Sequence, residues 1–231
     1  MNDQPTLNLD AILQPIGLER FLAEYWETKP CLIEREDRSF YGDLFDTRQL
    51  DQIITTQHLY HPTINLVQGR TRIPSDDYTY ESSLIDVARL YQRYHEGASI
   101  VMTNLEVRHP GVAALCRSFE ETLSSRFQAN VYFPPPGAKG LRPHWDSHDV
   151  LVLQLEGEKR WTVFNTPEDL PYRGQDFHPE FYPPGDVTME FVMRPGDCFY
   201  LPRGVMHEAQ SLEQDSLHLT VGVLSLSLIH I

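Results

Sequence analysis

Residues 142–161 read RPHWDSHDVLVLQLEGEKRW. A histidine and an aspartate two positions apart lead into an aliphatic run. A glycine turn follows, and a lysine sits beside a tryptophan on the next segment. Period-two alternation sends residues two apart to the same side of an extended strand, so His144 and Asp146 can converge on one ion. Imidazole plus carboxylate suits a borderline divalent metal such as iron, manganese or zinc. The pair alone is weak evidence, because 10 histidines and 33 acidic residues produce such spacings by chance. His178 and Glu180 in FHPEFYPPG repeat it, but that stretch is proline-laden and reads as a surface loop. His148 would extend the pair to HxDxH. On a straight strand it lies about 13 Å from His144 at roughly 3.3 Å per residue, against metal–nitrogen bonds of about 2 Å. His148 is therefore expected to line a pocket or cap a loop.

Outward from this block, the chain from residue 127 is a succession of short strands and turn clusters. FQANVYF precedes PPPGAKG, DVLVLQL precedes EGE, and KRWTVF precedes NTPED. VTMEFVM precedes RPGD, CFYLP precedes RG, and VMHEAQ and LHLTVGV close the series. Such a texture predicts an antiparallel sandwich or barrel. The first third is mixed. Phe21, Leu22, Tyr25 and Trp26 have helical spacing, with CLIE as a short strand beyond Pro30. A second helix is expected over about 83–95, closed by Gly97 and followed by strand ASIVMTN. A third starts after Pro110, with Val112, Leu115, Phe119 and Leu123 as its buried stripe.

The 231 residues suffice for one sizeable core, and 17 prolines with 13 glycines agree with many turns. A net charge of −14 argues against wrapping nucleic acid or lying on an anionic membrane, and suits a basic partner. MNDQPTLNLDAIL lacks the features of a signal peptide, and no apolar stretch approaches membrane length. Cys31, Cys116 and Cys198 are odd in number and far apart, which fits small core residues in a reducing compartment, most simply the cytoplasm.

A third ligand is expected at His207 in RPGDCFYLPRGVMHEAQS, residues 194–211. Pro195-Gly196 makes one turn, CFYL crosses the barrel, and Pro202 with Gly204 makes another that delivers His207 inward. The spacing of Gly196, Pro202, Gly204 and His207 resembles the second motif of the cupin superfamily. Within it, the chain resembles the JmjC-type Fe(II)- and 2-oxoglutarate-dependent oxygenases, specifically the ribosomal oxygenase branch. The likeness runs through FLAEYWETKPCLIER, NVYF, the RPHWD…DVLVLQLEGEKRW block, PGDCFYLPRGVMHEAQS and SLHLTV. Ser211 departs from it, standing where the general cupin motif prefers asparagine. His144-Trp145-Asp146 replaces the HxH of zinc and manganese cupins, a departure that points towards the oxygenases.

The resemblance implies a mainly β fold with flanking helices, built on a double-stranded β-helix (jelly-roll, cupin) barrel. It implies residues 127–224 as barrel core and residues 1–126 as helices and strands that pack on and contribute to it. It also implies that His144, Asp146 and His207 hold Fe(II), with 2-oxoglutarate and O2 as co-substrates. Two histidines and one carboxylate on one octahedral face leave three positions open.

Lys159 shares a strand face with Trp161 and Val163. If that face is the interior, its ammonium needs a carboxylate. The family pattern gives it the distal carboxylate of 2-oxoglutarate, and puts Asn130, Tyr132 and Thr220 around the same molecule. These three could equally be hydrogen-bonded barrel residues. Glu156, Glu158 and Arg160 read as a solvated hairpin turn.

The expected reaction is hydroxylation of a protein side chain, arginine or histidine of a ribosomal protein or another basic polypeptide. The same chemistry on another peptide or a small molecule is the near alternative. A metal-binding cupin module without oxygenase activity and a zinc or manganese isomerase are the distant ones. JmjC demethylation fits the motif set less well. Similar proteins continue into a helical dimerisation region and a winged-helix-like domain, so the full-length protein is expected to be a homodimer. Here the chain stops 24 positions after His207, in LSLSLIHI. Residues 225–231 read as a translated adapter remnant.

Overall fold

The computed structural model describes residues 7–69, 71–165, 170–172, 174–175 and 177–224. The tail at 225–231, and most of the turn expected at NTPED, lie outside them. The first half contains α1 (Leu9–Leu13), α2 (Leu18–Glu24), β1 (Cys31–Ile33), α3 (Thr47–Thr56), β2 (Ile64–Gln68), β3 (Thr71–Arg72), α4 (Val87–His95), β4 (Ser99–Met102) and α5 (Pro110–Leu123). The second half is all strand: β5 (Arg126–Phe133), β6 (Asp149–Glu156), β7 (Lys159–Phe164), β8 (Val187–Met193), β9 (Cys198–Leu201), β10 (His207–Ser211) and β11 (Leu217–Leu224).

Among the described residues the strands form two antiparallel sheets. The large one has the order β1-β9-β6-β11-β5-β4-β2-β3, and the small one β10-β7-β8. The fold is mainly β with flanking helices, as expected. Strand β6 is buried on both faces because it sits between two cores. Leu151 and Leu153 face the helices with Phe119, Val131 and Leu219, while Val150 and Val152 meet Trp161, Val163, Phe199 and Leu201 between the sheets. Burying each such side chain contributes about 1.5–3 kcal/mol. No helix of the described residues is long and apolar enough to cross a membrane.

The N-terminal third is stitched into the large sheet. Cys31 pairs with Tyr200 and Ile33 with Cys198, while Ile100 pairs with Phe133. Helix α4 starts at Val87, later than the expected 83, because the Asp86 carboxylate caps it by accepting from Arg89 N, while Leu84 and Ile85 bridge to Tyr60 and Thr79. Helix α5 forms as expected, with Val112, Leu115 and Phe119 of its stripe buried and Leu123, at its end, partly buried. Helices α1 and α3, the interior strand β2 and the edge strand β3 were not among the expected elements. All three cysteines are free and buried.

Two buried carboxylates fix the turns that carry the site. Asp149 accepts from the Tyr200 hydroxyl at 2.8 Å and from Arg203 Nη1 at 2.9 Å, and Arg203 also reaches Glu27. Asp197 accepts from Arg35 N, Arg194 N and Arg38 Nη1 at 2.8–3.0 Å. Each charge is paired and hydrogen-bonded, which is the condition for burying it. Gly157, at φ +64°, turns β6 into β7, and a Cβ there would stand 2.0 Å from the Asp215 carbonyl oxygen. Gly157→Ala is expected to cost about 2–4 kcal/mol through strain and clash, read as a lower denaturant midpoint.

Candidate metal centre

His144 and His207 face each other as an isolated antiparallel bridge. His144 N donates to His207 O at 3.0 Å, and His207 N donates to His144 O at 2.8 Å. Such a doubly bonded pair holds its two Cα atoms about 5.5 Å apart with both side chains on one face. Asp146 follows two positions on, and its carbonyl accepts from Gly204 N at 2.9 Å, which ties the turn before β10 to the segment before β6. Gly204 takes φ +84°, a conformation few side chains tolerate.

The result is a cluster of His144, Asp146 and His207 whose ligand-type atoms lie within 4.8 Å of one another. His207 Nε2 stands 3.8 Å from Asp146 Oδ2, and the two imidazole centroids are 4.5 Å apart. Each ring is oriented by its own backbone. His144 Nδ1 lies 2.8 Å from the Arg142 carbonyl and His207 Nδ1 2.9 Å from the Val205 carbonyl. A carbonyl only accepts, so both Nδ1 atoms carry the proton and both Nε2 atoms keep a lone pair, as metal-binding histidines require. This donor set fits a divalent transition metal.

One cavity joins the cluster to Lys159. Its walls include Tyr132, Trp161, His218 and Thr220. The strand parity expected for Lys159 holds: β7 buries Lys159, Trp161 and Val163 and turns Arg160 outward. Among the described residues no carboxylate pairs with Lys159. Its Nζ lies 3.3 Å from His218 Nδ1, with the Tyr132 and Trp161 ring centroids at 5.9 and 5.7 Å.

Asn130 shares the inward parity of Tyr132 but does not line this cavity. Its Oδ1 accepts instead from Asn104 N at 3.2 Å and Gln128 Nε2 at 3.1 Å. His148 lies against Gly222, where a Cβ would come within 2.7 Å of its ring. His178 and Glu180 are both exposed and sit 3.7 Å apart, outside the site. Glu156 differs from its expected solvated role, because its carboxylate caps α3 by accepting from Thr47 N and Oγ1.

A family model described as the JmjC domain matches residues 106–230. The chain belongs to the JmjC family. Among curated relatives, it is 30% identical over 92% of its length to the "Bifunctional lysine-specific demethylase and histidyl-hydroxylase NO66" of Aedes aegypti, covering 34% of that protein. It is 30% identical over 91% of its length to "Ribosomal oxygenase 1" of Danio rerio, covering 39% of it. This chain thus spans little more than a third of these relatives. Among solved structures it resembles the ribosomal oxygenase YcfD of Escherichia coli, with TM-score 0.65, 22% identity, and coverage of 93% of this chain and 53% of that one. Another YcfD structure, "in complex with Cobalt and 2-oxoglutarate", matches with TM-score 0.62 and 22% identity.

In this JmjC site several contributors are visible only in three dimensions. Trp145, between the paired histidine and aspartate, is buried against Phe177 and Tyr182 at centroid distances of 5.6 and 5.4 Å, and Phe177 also approaches His144 at 6.5 Å. Ser211 Oγ donates to the Pro135 carbonyl at 2.7 Å, pinning the loop that supplies the lining residues Gly140 and Leu141. The PPPGAKG turn signal located that loop, but nothing in it indicated that it folds back over the cavity.

Charge is balanced unevenly along the cavity. Burial would raise the Asp146 carboxyl, but the imidazoles of His144, His148 and His207 outweigh it and hold it below the usual range. Burial, then the neighbouring His144, pushes His207 down to about 4. Burial alone pushes Lys159 from 10.5 down to about 7. The fold therefore disfavours the Lys159 ammonium. The penalty is fully present below pH 7 and fades as pH rises towards the unfolded value. Lys159→Met, similar in volume, is expected to stabilise the ligand-free protein by roughly 4 kcal/mol at pH 6. Thermal unfolding across pH 6–10 should show that gain shrinking with pH.

Proposed function

We propose that this chain is the oxygenase region of an Fe(II)- and 2-oxoglutarate-dependent protein hydroxylase whose target is an arginine or histidine of a ribosomal protein. The observation that carries the chemistry is the pairing, in one cavity, of a two-histidine, one-carboxylate cluster with a buried lysine that has no anionic partner among the described residues. In this reading His144, Asp146 and His207 hold the iron through two Nε2 atoms and a carboxylate oxygen. Iron bound there supplies reductive activation of O2 coupled to decarboxylation of 2-oxoglutarate to succinate. Lys159 binds the distal carboxylate of 2-oxoglutarate, Tyr132 and Thr220 line the space between, and Asn130 supports the co-substrate end of the site from the same face of β5 as Tyr132. Val150, Val152, Trp161 and Ala209 form the apolar part of the wall and limit water around the reacting centre.

The substrate class rests on relatives named as histidyl-hydroxylase and ribosomal oxygenase, and the net charge of −14 suits a basic polypeptide. Three free, buried cysteines fit a reducing compartment such as the cytoplasm. Homodimerisation of the full-length protein rests on the resemblance to longer oxygenases alone.

Anaerobic addition of Fe(II) and 2-oxoglutarate should produce a visible metal-to-ligand charge-transfer band; a metal-binding module or an isomerase would give none. Asp146→Ala should abolish succinate formation. Lys159→Ala should raise the 2-oxoglutarate requirement at least tenfold, the loss of a charge-assisted bond, and spare metal affinity. Mass spectrometry of ribosomal proteins should then show the gain of one oxygen only with active enzyme, whereas loss of methyl groups would favour demethylation.

Proton linkage adds a second expectation. Carboxylate binding requires the Lys159 ammonium, which in the free protein is lost above about pH 7. Apparent affinity for 2-oxoglutarate should be flat below pH 7 and fall up to tenfold per pH unit above it. A pH series of KM for 2-oxoglutarate checks this.

A further inference from the structure

Lysine is a point charge on a flexible four-carbon stem, so a pocket that relies on one must hold its end in place. Strand β11 supplies the means. His218 is 2% exposed and lies directly across from Tyr132 in the β11–β5 register. Its ring stacks flat on the Tyr132 ring, with centroids 4.9 Å apart and planes 5° apart, and stands edge-on to Trp161 at 6.1 Å. The imidazole is thereby clamped with Nδ1 3.3 Å from Lys159 Nζ.

We propose that His218 is a positioning residue for co-substrate binding: its Nδ1 accepts one N–H of the Lys159 ammonium and leaves the other two for the distal carboxylate of 2-oxoglutarate. The inference rests on the functional reading given above.

The chemistry favours a neutral acceptor at this place. An aspartate or glutamate would hold the ammonium as firmly but neutralise it and compete with the incoming carboxylate. An apolar residue would leave the stem free to rotate away. A neutral imidazole anchors the cation while leaving its charge uncompensated. Burial, then the charge of Lys159, keeps His218 well below its ordinary pKa and hence neutral. The tautomer follows, with the proton on Nε2 and the lone pair on Nδ1. Tyr132 and Trp161 present ring faces or edges within about 6 Å of the ammonium, close enough to add weak attraction without supplying an anion.

The test uses Mn(II)-loaded protein titrated with 2-oxoglutarate by calorimetry, alongside steady-state turnover with Fe(II). His218→Phe keeps an aromatic ring for the Tyr132 stack but removes the acceptor, and His218→Gln restores an acceptor oxygen. His218→Phe should weaken 2-oxoglutarate binding about tenfold or more and raise KM in parallel. Mn(II) affinity and kcat at saturating 2-oxoglutarate should stay within about twofold. His218→Gln should recover most of the lost affinity, and in a Lys159→Ala background His218→Phe should have little further effect. Wild-type affinity in His218→Phe, or His218→Gln no better than His218→Phe, overturns the proposal. Should His218→Phe fail to fold, His218→Leu, which also removes the acceptor, is compared with and without Lys159→Ala, and equal losses of affinity in the two backgrounds rule out action through the lysine. Failure of the wild-type Mn(II) protein to bind 2-oxoglutarate would refute the co-substrate reading itself, an outcome distinct from the others.

Discussion

The reciprocal backbone pair between His144 and His207 is the constraint on which the site depends. Two hydrogen bonds of 3.0 and 2.8 Å join segments 63 positions apart in the chain. They do so at the residues whose side chains form the cluster. Because a doubly bonded antiparallel pair directs both side chains to one face, the imidazoles converge without any contact between the rings being needed to bring them together. The Gly204–Asp146 bond extends the same connection by two residues and adds the carboxylate. The Asp149–Arg203–Tyr200 network lies just beneath, so the turn before β10 is held from both ends.

The second half of the cavity is organised by an opposite principle. At the metal end, backbone carbonyls orient both imidazoles, and a carboxylate faces them. At the lysine end, a cationic side chain is buried with no anion beside it among the described residues. Burying an unpaired charge costs stability, and the cost is borne where aromatic walls and a neutral imidazole leave room for a carboxylate. The two ends share strands: β7 carries Lys159 and, in the same inward row, Val163, which pairs with His207. Strand geometry thus fixes the distance between His207 and Lys159, and the bridge from His144 to His207 ties the segment that carries His144 and Asp146 to the same frame.

Much of this was legible in the chain because strands impose period two. The alternation in KRWTVF put Lys159 inside, and the G-x5-P-x-G-x2-H spacing singled out His207. The same parity put Asn130 beside Tyr132 on the inward face of β5. It could not say that the Asn130 amide would be engaged by Asn104 and Gln128, since those partners come from other parts of the chain or from the strand's own hydrogen bonding. Strand β3 is two exposed residues at the sheet edge and carries no hydrophobic pattern, while β2, paired with β3 and β4, offers only the short alternation of Ile64, Asn65 and Leu66. The capping role of Glu156 is set by tertiary structure as well. A carboxylate in a turn looks solvated until the N-terminus of a helix over a hundred residues away is brought to it.

By itself the sequence determined the strand-rich fold, the identity of the metal-ligating side chains as a candidate set, and the inward direction of Lys159. Local backbone periodicity and turn chemistry are enough for those. Only the tertiary structure decided that His144 and His207 are bridge partners and that Lys159 meets the His218 imidazole. It also decided that Trp145 is held by aromatics from the β7–β8 connection. Each of these is a contact between residues distant in sequence, made when the two sheets close over a common core, and no local rule encodes which distant residue arrives.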